Sequence, residues 1–290
     1  MRFTAESKIK DIISANPKTA DLMRDMGMHC LGCPSASNES VSGAARMHGM
    51  ETSKLLQALN ELEVGEMSQD TLADSMPEGA ILQGDRATYA VVPHIPAGIC
   101  SPDLLRKIAD VAEKYESAAL KLTSAHRIAI VGLKKDDVAK VWADLGMEPG
   151  HAAGACVRSI KVCPGTTFCK RGLQDSVTLG LELDKRYHGV ELPTKFKLSV
   201  SGCANKCTDT ANVDLGFMGT QNGFHAYVGG NGGVKPRLAD LLAQNLSAEQ
   251  ALELAEKVVR FFKLMGRTDE RIGKMIDRMG LEQFKQAVLG

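Results

Sequence analysis

The amino-acid sequence predicts an α+β protein in three parts: a small all-α unit, a half-domain of strands and helices, and a larger α+β domain. Three observations carry that prediction. Residues 1–63 space their apolar side chains as helices do. Residues 87–149 alternate in the order β-α-β-β-α. From Gly150 onward, glycine-rich loops separate strand-like stretches, and the chain finishes in amphipathic helices.

At 290 residues the chain is long for one compact core, which favours two or three units. Lys plus Arg equals Asp plus Glu at 35 each, so no net field draws in nucleic acid or an acidic membrane. The N-terminal "MRFTAESKIK" has no long apolar stretch, and no run approaches the ~18 apolar residues of a spanning helix. Membrane insertion is not expected, and the cytoplasm is the expected location.

In the first unit, "SKIKDIISANP" stops before Pro17, and "KTADLMRDMG" sets Leu22, Met23 and Met26 on one face. Short helices near 38–48 and 52–62 follow, the latter turning Leu55, Leu56, Leu59 and Leu62 inward. Residues 64–86 have weak periodicity and read as a linker. "ATYAVVPHI" is strand-like. Ser101-Pro102 then supplies a cap and a first-turn proline for a helix with Leu104, Ile108, Val111, Ala112 and Tyr115 on one stripe. "AALKLT" and "RIAIVGL" are two strands, and "KKDDVAKVWADLG" is a helix ending at Gly146. This order fits a ferredoxin-like half-domain with helices on one face of an antiparallel sheet. In the third part (150–290), a helix is expected from about Leu173 to Tyr187. "KFKLSVSG", "NVDLGFMG" and "FHAYVGG" read as strands. In the closing helices, Ser247 and Gln250 form a capping box.

Of eight cysteines, six fall in near pairs: Cys30/Cys33, Cys163/Cys169 and Cys203/Cys207. In a chain of this size expected in the cytoplasm, such pairs point to metal or redox use. Pro164-Gly165 makes a loop between Cys163 and Cys169. Cys203 and Cys207 would point the same way if their segment made a helical turn. Four thiolates from two loops suit a [4Fe-4S] cube. Structural zinc prefers tighter knuckles, and buried, unliganded thiols are the plain alternative.

The C-x5-C and C-x3-C spacings, "GC-x-N-x-C" and the later "D-x-G-F-x-G" together resemble the sirohaem and [4Fe-4S] half of sulfite and nitrite reductases, over roughly residues 87–290. The resemblance implies that Cys163, Cys169, Cys203 and Cys207 hold the cluster and that Cys207 also bridges to the sirohaem iron. On its own, the K-x-K of Lys195 and Lys197 is the solvated face of an edge strand. "LPTKFK" resembles the stretch that carries the family's active-site lysines, which implies that both meet the anionic substrate. Arg158 falls where the family places an anion-binding arginine. His94 stands where members often carry another arginine, and a histidine can still donate a hydrogen bond or proton there. The expected cofactor contacts are Arg127, Lys161, Asn205 and the glycine-rich loop at Gly229, Gly230 and Asn231.

The implied activity is six-electron reduction of sulfite to sulfide. The alternatives are nitrite reduction to ammonia, or a non-catalytic iron–sulfur electron carrier or redox sensor. No G-x-G-x-x-G follows a strand, so electrons are expected from an external donor such as ferredoxin or a reductase subunit. Larger family members hold two such halves in one polypeptide, which implies self-association here. The N-terminal stretch resembles a small helical domain associated with hybrid-cluster proteins and iron–sulfur repair factors. Its Cys30-Leu-Gly-Cys33 is a candidate redox disulfide, with a shared metal half-site and plain packing as the other readings. His29 and His48 could join such a metal site.

Overall fold

The computed structural model describes residues 3–16, 18–26, 39–47, 50–62, 76–268 and 270–290. The chain divides into two compact units, Met1–Ser75 and Met76–Gly290.

The first unit is built from helices α1 (Ile9–Ala15), α2 (Lys18–Asp25), α3 (Val41–Met47) and α4 (Thr52–Glu61). Its core gathers Ile9, Ile12, Met23, Val41, Leu55 and Leu59. Met23, Leu55 and Leu59 lie on the stripes that the periodicity turned inward. The Asn60 side chain accepts from the Phe3 N–H at 2.7 Å and donates to its carbonyl at 3.0 Å, tying α4 to the start of the chain. His29, Cys30, Cys33 and His48 lie outside the described residues.

The second unit opens with β1 (Ala80–Leu82), β2 (Tyr89–Val91), α5 (Pro102–Lys114), β3 (Ala119–Leu122), β4 (Ile128–Leu133) and α6 (Val138–Leu145). The strands pair antiparallel in the order β1-β2-β4-β3. Ser101 Oγ accepts from the Leu104 N–H at 3.1 Å, and Pro102 takes the first turn of α5, as its sequence indicates. Ile108, Val111, Val141 and Trp142 pack with Ile130 and Leu133 of the sheet. One finding departs from the sequence. Ala80–Leu82 is a strand inside the stretch read as linker, so the half-domain starts earlier than expected. Three apolar residues are too few to show a period; the strand exists because it can pair with β2.

The rest comprises β5 (Val157–Val162), α7 (Gly165–Phe168), α8 (Ser176–Tyr187), β6 (Phe196–Ser201), β7 (Leu215–Thr220), β8 (Gly223–Val228), β9 (Asp240–Leu246), α9 (Ala248–Met265), α10 (Ile272–Met279) and α11 (Leu281–Leu289). The sheet order is β5-β6-β7-β8-β9, with β5, β6 and β7 mutually parallel and β8 and β9 antiparallel. One face of this sheet supplies Phe196, Leu198, Val200 and Phe217 to a core shared with Leu183 of α8 and Val258 and Phe262 of α9. Period-two alternation then puts Lys197, Ser199 and Ser201 on the other face. α8 starts at Ser176 rather than Leu173, because the Asp175 carboxylate caps it by accepting from the N–H groups of Val177 and Thr178. The capping box of Ser247 and Gln250 opens α9 as expected.

Candidate functional site

The parallel pairing of β5 and β6 brings the cysteine loops together. Val162 registers with Val200, so the two strands end at one level, and Cys163 and Gly202-Cys203 emerge side by side. Backbone bonds then sew the loops. The Cys163 N–H donates to the Val200 carbonyl at 3.1 Å, and the N–H groups of Leu173 and Gln174 donate to the Gly202 carbonyl at 2.8 and 3.1 Å. The Gly202 N–H donates to Cys163 Sγ at 3.0 Å. A Cβ on Gly202 would stand 2.8 Å from both the Gln174 carbonyl oxygen and Gly165 Cα, so only glycine fits where the loops touch. Cys163 is buried, Cys169 and Cys203 are half-buried, and Cys207 is exposed.

The helical turn considered for Cys203–Cys207 does not form. Residues 203–208 are bends and turns with no helical residue, and Lys206 sits at φ +49°, outside right-handed helical backbone. The left-handed Lys206 swings Cys207 outward, which accounts for its exposure. Among the described residues no three His, Cys, Asp or Glu side chains converge tightly enough for a single ion. A tetrahedral zinc site needs that convergence, whereas a cube takes each thiolate on a separate iron.

Beside these loops runs a basic face. Lys197 is the second residue of β6 and Lys195 immediately precedes the strand; Lys161 of β5 registers with Ser199. The face therefore steps from Lys197 past Lys161 and Ser199 to Ser201 and the Cys203 loop. Partial desolvation, followed by the charge of Arg271, holds both Lys195 and Lys197 below the ordinary lysine pKa. Arg158, at a register shift between Val157 and Ser159, donates from Nε to the Gly154 carbonyl at 2.9 Å. Lys161 is paired with Asp209 at 2.5 Å. Ser199 Oγ is buried with no hydrogen-bond partner among the described residues.

Two residues that the sequence reading missed organise this face. Asp214, 1% exposed, accepts from Arg271 Nε at 2.8 Å, from Arg271 Nη2 at 2.6 Å and from the Lys197 N–H at 2.8 Å. Burial pushes its carboxyl up, while the Arg271 pair and the Lys197 amide oppose that shift. A carboxylate beside an otherwise apolar strand in "NVDLGFMG" is the signal that a buried partner must exist.

His94 has a partner other than the anion face. Its Nε2 lies 2.7 Å from Asp184 Oδ2 of α8, and its ring stacks on His188 at 3.5 Å between centroids. Arg127, 4% exposed, donates from Nη2 to the Arg158 carbonyl and lies 3.2 Å from His188 Nε2. Arg127 also lines a cavity of about 470 Å³ beside Cys163, together with Ile99, Leu122, His126 and Phe168.

His188 is pushed down to about 4 by burial first, and then by the charges of His94 and Arg127, with Asp184 opposing and His151 adding to the fall. A folded-state pKa below the ordinary 6.5 means that the unfolded chain binds the proton first. The stability this site contributes is complete above about pH 6.5 and drains as pH falls toward 4. The full effect is about 2–3 kcal/mol at most. His188→Gln should flatten the fall in melting temperature between pH 6.5 and 4.5 relative to the parent; superimposable profiles would refute it.

The glycine-rich loop packs largely against its own protein. A Cβ on Gly230 would meet the Ala211 carbonyl oxygen at 2.5 Å, and one on Gly229 would meet Arg237 Nη1 at 2.9 Å. The N–H groups of Gly229 and Asn231 donate to the carbonyls of Asp214 and Arg237. Close approach at Gly229 and Gly230 is thus to protein atoms, while Gly232 and Gly233 face open space. Asn205 is exposed beside Cys203.

Thiol loops at the parallel strand ends of a mixed sheet, next to an antiparallel half-domain and a basic face, define an iron–sulfur reductase domain that takes a small anion. The nitrite and sulphite reductase 4Fe-4S domain matches residues 153–290, and the nitrite/sulfite reductase ferredoxin-like half domain matches residues 81–147. The chain belongs to the nitrite and sulfite reductase family. Residues 3–56 match a domain of unknown function (DUF1858).

The assimilatory-type sulfite reductase of Nitratidesulfovibrio vulgaris is 41% identical over 214 residues, covering 74% of this chain and 98% of that protein. The NAD(P)H nitrite reductase of Bacillus subtilis is also 41% identical, over 70% of this chain but only 25% of its own length. The solved structure of the Mycobacterium tuberculosis NirA protein superposes with a TM-score of 0.63 at 19% identity, over 73% of this chain and 42% of that one, a likeness of fold.

The family's cofactors are sirohaem and a [4Fe-4S] cluster. The residues present fit them. Four thiols stand on two loops fused by a glycine contact, a backbone N–H already donates to Cys163 Sγ, and the buried, orphaned Ser199 Oγ lies on the strand face that leads to the loops.

Proposed function

We propose that this protein reduces sulfite to sulfide at a coupled sirohaem and [4Fe-4S] centre. The observation that carries the reading is the placement of Lys195 and Lys197 at the start of the same strand, β6, beyond whose end stand Cys203 and Cys207. Coverage supports sulfite over nitrite, since the chain spans nearly all of an assimilatory-type sulfite reductase but about a quarter of a nitrite reductase.

Bisulfite, six electrons and six protons give hydrosulfide and three waters, so the protein must bind an anion and deliver protons repeatedly. The cofactors, when bound, would relay the electrons and supply a redox-active iron. Cys163, Cys169, Cys203 and Cys207 would hold the cluster, with Cys207 shared. Lys195, Lys197 and Arg158 would bind the oxyanion, and the two lysines would polarise its S–O bonds and donate the protons that leave with oxygen as water. The lowered lysine pKa values serve that role, because a less basic ammonium releases its proton more readily at neutral pH. Arg127 and Lys161 would meet cofactor carboxylates. His94 belongs to this reading as a second-line residue, acting through the Arg127–Arg158 contact. An external donor, ferredoxin or a reductase subunit, a self-associated state and a cytoplasmic location complete the proposal.

Anaerobic assays with sulfite and nitrite side by side, on protein whose spectrum carries a Soret band and a red charge-transfer band, test it. Sulfide formation with the higher kcat/KM for sulfite is the expected result. Preference for nitrite would replace the substrate, and a broad iron–sulfur shoulder without a Soret band would leave an electron carrier.

A further inference from the structure

Asp214 and Arg271 have no part in the family-based site assignments, yet they sit at its electrostatic centre. Arg271 is the residue before α10, far in sequence from β6, and its side chain is 15% exposed. It presents Nε and Nη2 to the carboxylate of Asp214 at 2.8 and 2.6 Å. The same Asp214 Oδ2 accepts the Lys197 N–H at 2.8 Å, so one carboxylate fixes both the guanidinium and the backbone of the lysine strand. A side-on bidentate pair of this kind leaves the second terminal nitrogen unused. No hydrogen bond engages Arg271 Nη1 within the described residues. The charge of Arg271 reaches Arg158, Lys195 and Lys197 alike.

We propose that Arg271 is a further anion-binding residue of the lysine site, with Asp214 as the positioning residue that aims its free Nη1 edge at the substrate. This rests on the sulfite reading above and names a residue that reading does not contain. The physical case is one of pre-organisation. A long, flexible arginine loses rotamer freedom when it captures an anion, and a buried carboxylate that already holds two of its nitrogens removes that cost. Asp214 also cancels one positive charge in a crowded set, so that four cations can stand near one another without expelling Arg271 into solvent. The arrangement keeps the net field positive toward the open side while the paired side stays buried.

Arg271→Lys is the primary variant, because it keeps the charge beside Asp214 but loses the fork. Asp214→Asn combined with Arg271→Gln is the second, since removing both charges leaves neither one buried alone. Two readouts are made on the full holoprotein. The first is KM and kcat for sulfite. The second is the pH dependence of competitive acetylation at Lys195 and Lys197, read by peptide mass spectrometry, which requires no turnover.

The expected result is a KM increase of about tenfold or more for both variants, as for loss of a charged hydrogen bond, with a smaller change in kcat. The lysine acetylation midpoints should rise in Arg271→Gln alone, where the Asp214 charge remains, and stay near the parent in Arg271→Lys. Unchanged KM in both folded variants overturns the anion contact, even if the acetylation midpoints move. Unchanged midpoints in folded Arg271→Gln overturn the placement of Arg271 beside the lysines. If the parent itself fails to turn over sulfite, the substrate reading falls, and the acetylation arm still decides where the Arg271 charge lies.

Discussion

Cys163→Ala is expected to abolish the iron–sulfur centre outright. Labile sulfide should fall to background, the visible absorption of the cluster should disappear, and sulfite reduction should be undetectable. The reason goes beyond the loss of one ligand. Cys163 is the most enclosed of the four thiols, 8% exposed, and its sulfur already accepts the Gly202 N–H that joins the two loops. Removing it would delete a proposed ligand and a loop contact together. Cys207→Ala should behave differently, because Cys207 is exposed and none of the loop hydrogen bonds described above involves it. There the protein should stay folded while spectral coupling between cluster and haem is lost. Iron and sulfide analysis with absorption spectra separates the cases. A Cys163→Ala protein that kept full labile sulfide would remove that thiol from the cluster.

Asp214→Ala should be among the most destabilising single substitutions in the second unit. It leaves the Arg271 guanidinium in a largely buried position without its carboxylate and frees the Lys197 N–H. Breaking a buried pair from one side costs about 3–5 kcal/mol. For a unit of this size that lowers the melting temperature by roughly 10 °C. Asp214→Asn should cost less, because the amide oxygen still accepts the backbone N–H. Calorimetry on both variants measures the difference; an alanine variant melting with the parent would show that the pair contributes no net stability.

Much of this molecule was legible in the residues. Helix caps declared themselves at Ser101-Pro102 and Ser247/Gln250, because a cap is a local contest between a side chain and nearby N–H groups. The apolar stripes of α4 and α5 were readable for the same reason. Strand partners were not. Nothing in "VRSIKV" or "KFKLSVS" says that the two run parallel, because pairing is decided by what lies between them. β1 escaped notice because three residues display no period. The Cys203–Cys207 spacing suggested a helical turn, and the left-handed Lys206 settled it otherwise. The site divides along the same line. Cysteine spacing and the K-x-K were visible in sequence, whereas Asp214 with Arg271 and Asp184 with His94 are couplings between distant segments. Each looks ordinary until its partner is placed.

The parallel pairing of β5 and β6 has a consequence for how such chains can vary. The two cysteine loops meet because neighbouring strands end together, whatever the length of the crossover that joins them. Residues inserted into that crossover lengthen a surface excursion and leave the thiols where they were. A one-residue insertion between Cys163 and Cys169, or between Cys203 and Cys207, would instead move a proposed ligand off its position. Sequence searches for related centres should therefore hold the spacings inside each cysteine pair rigid and let the gap between the pairs run free.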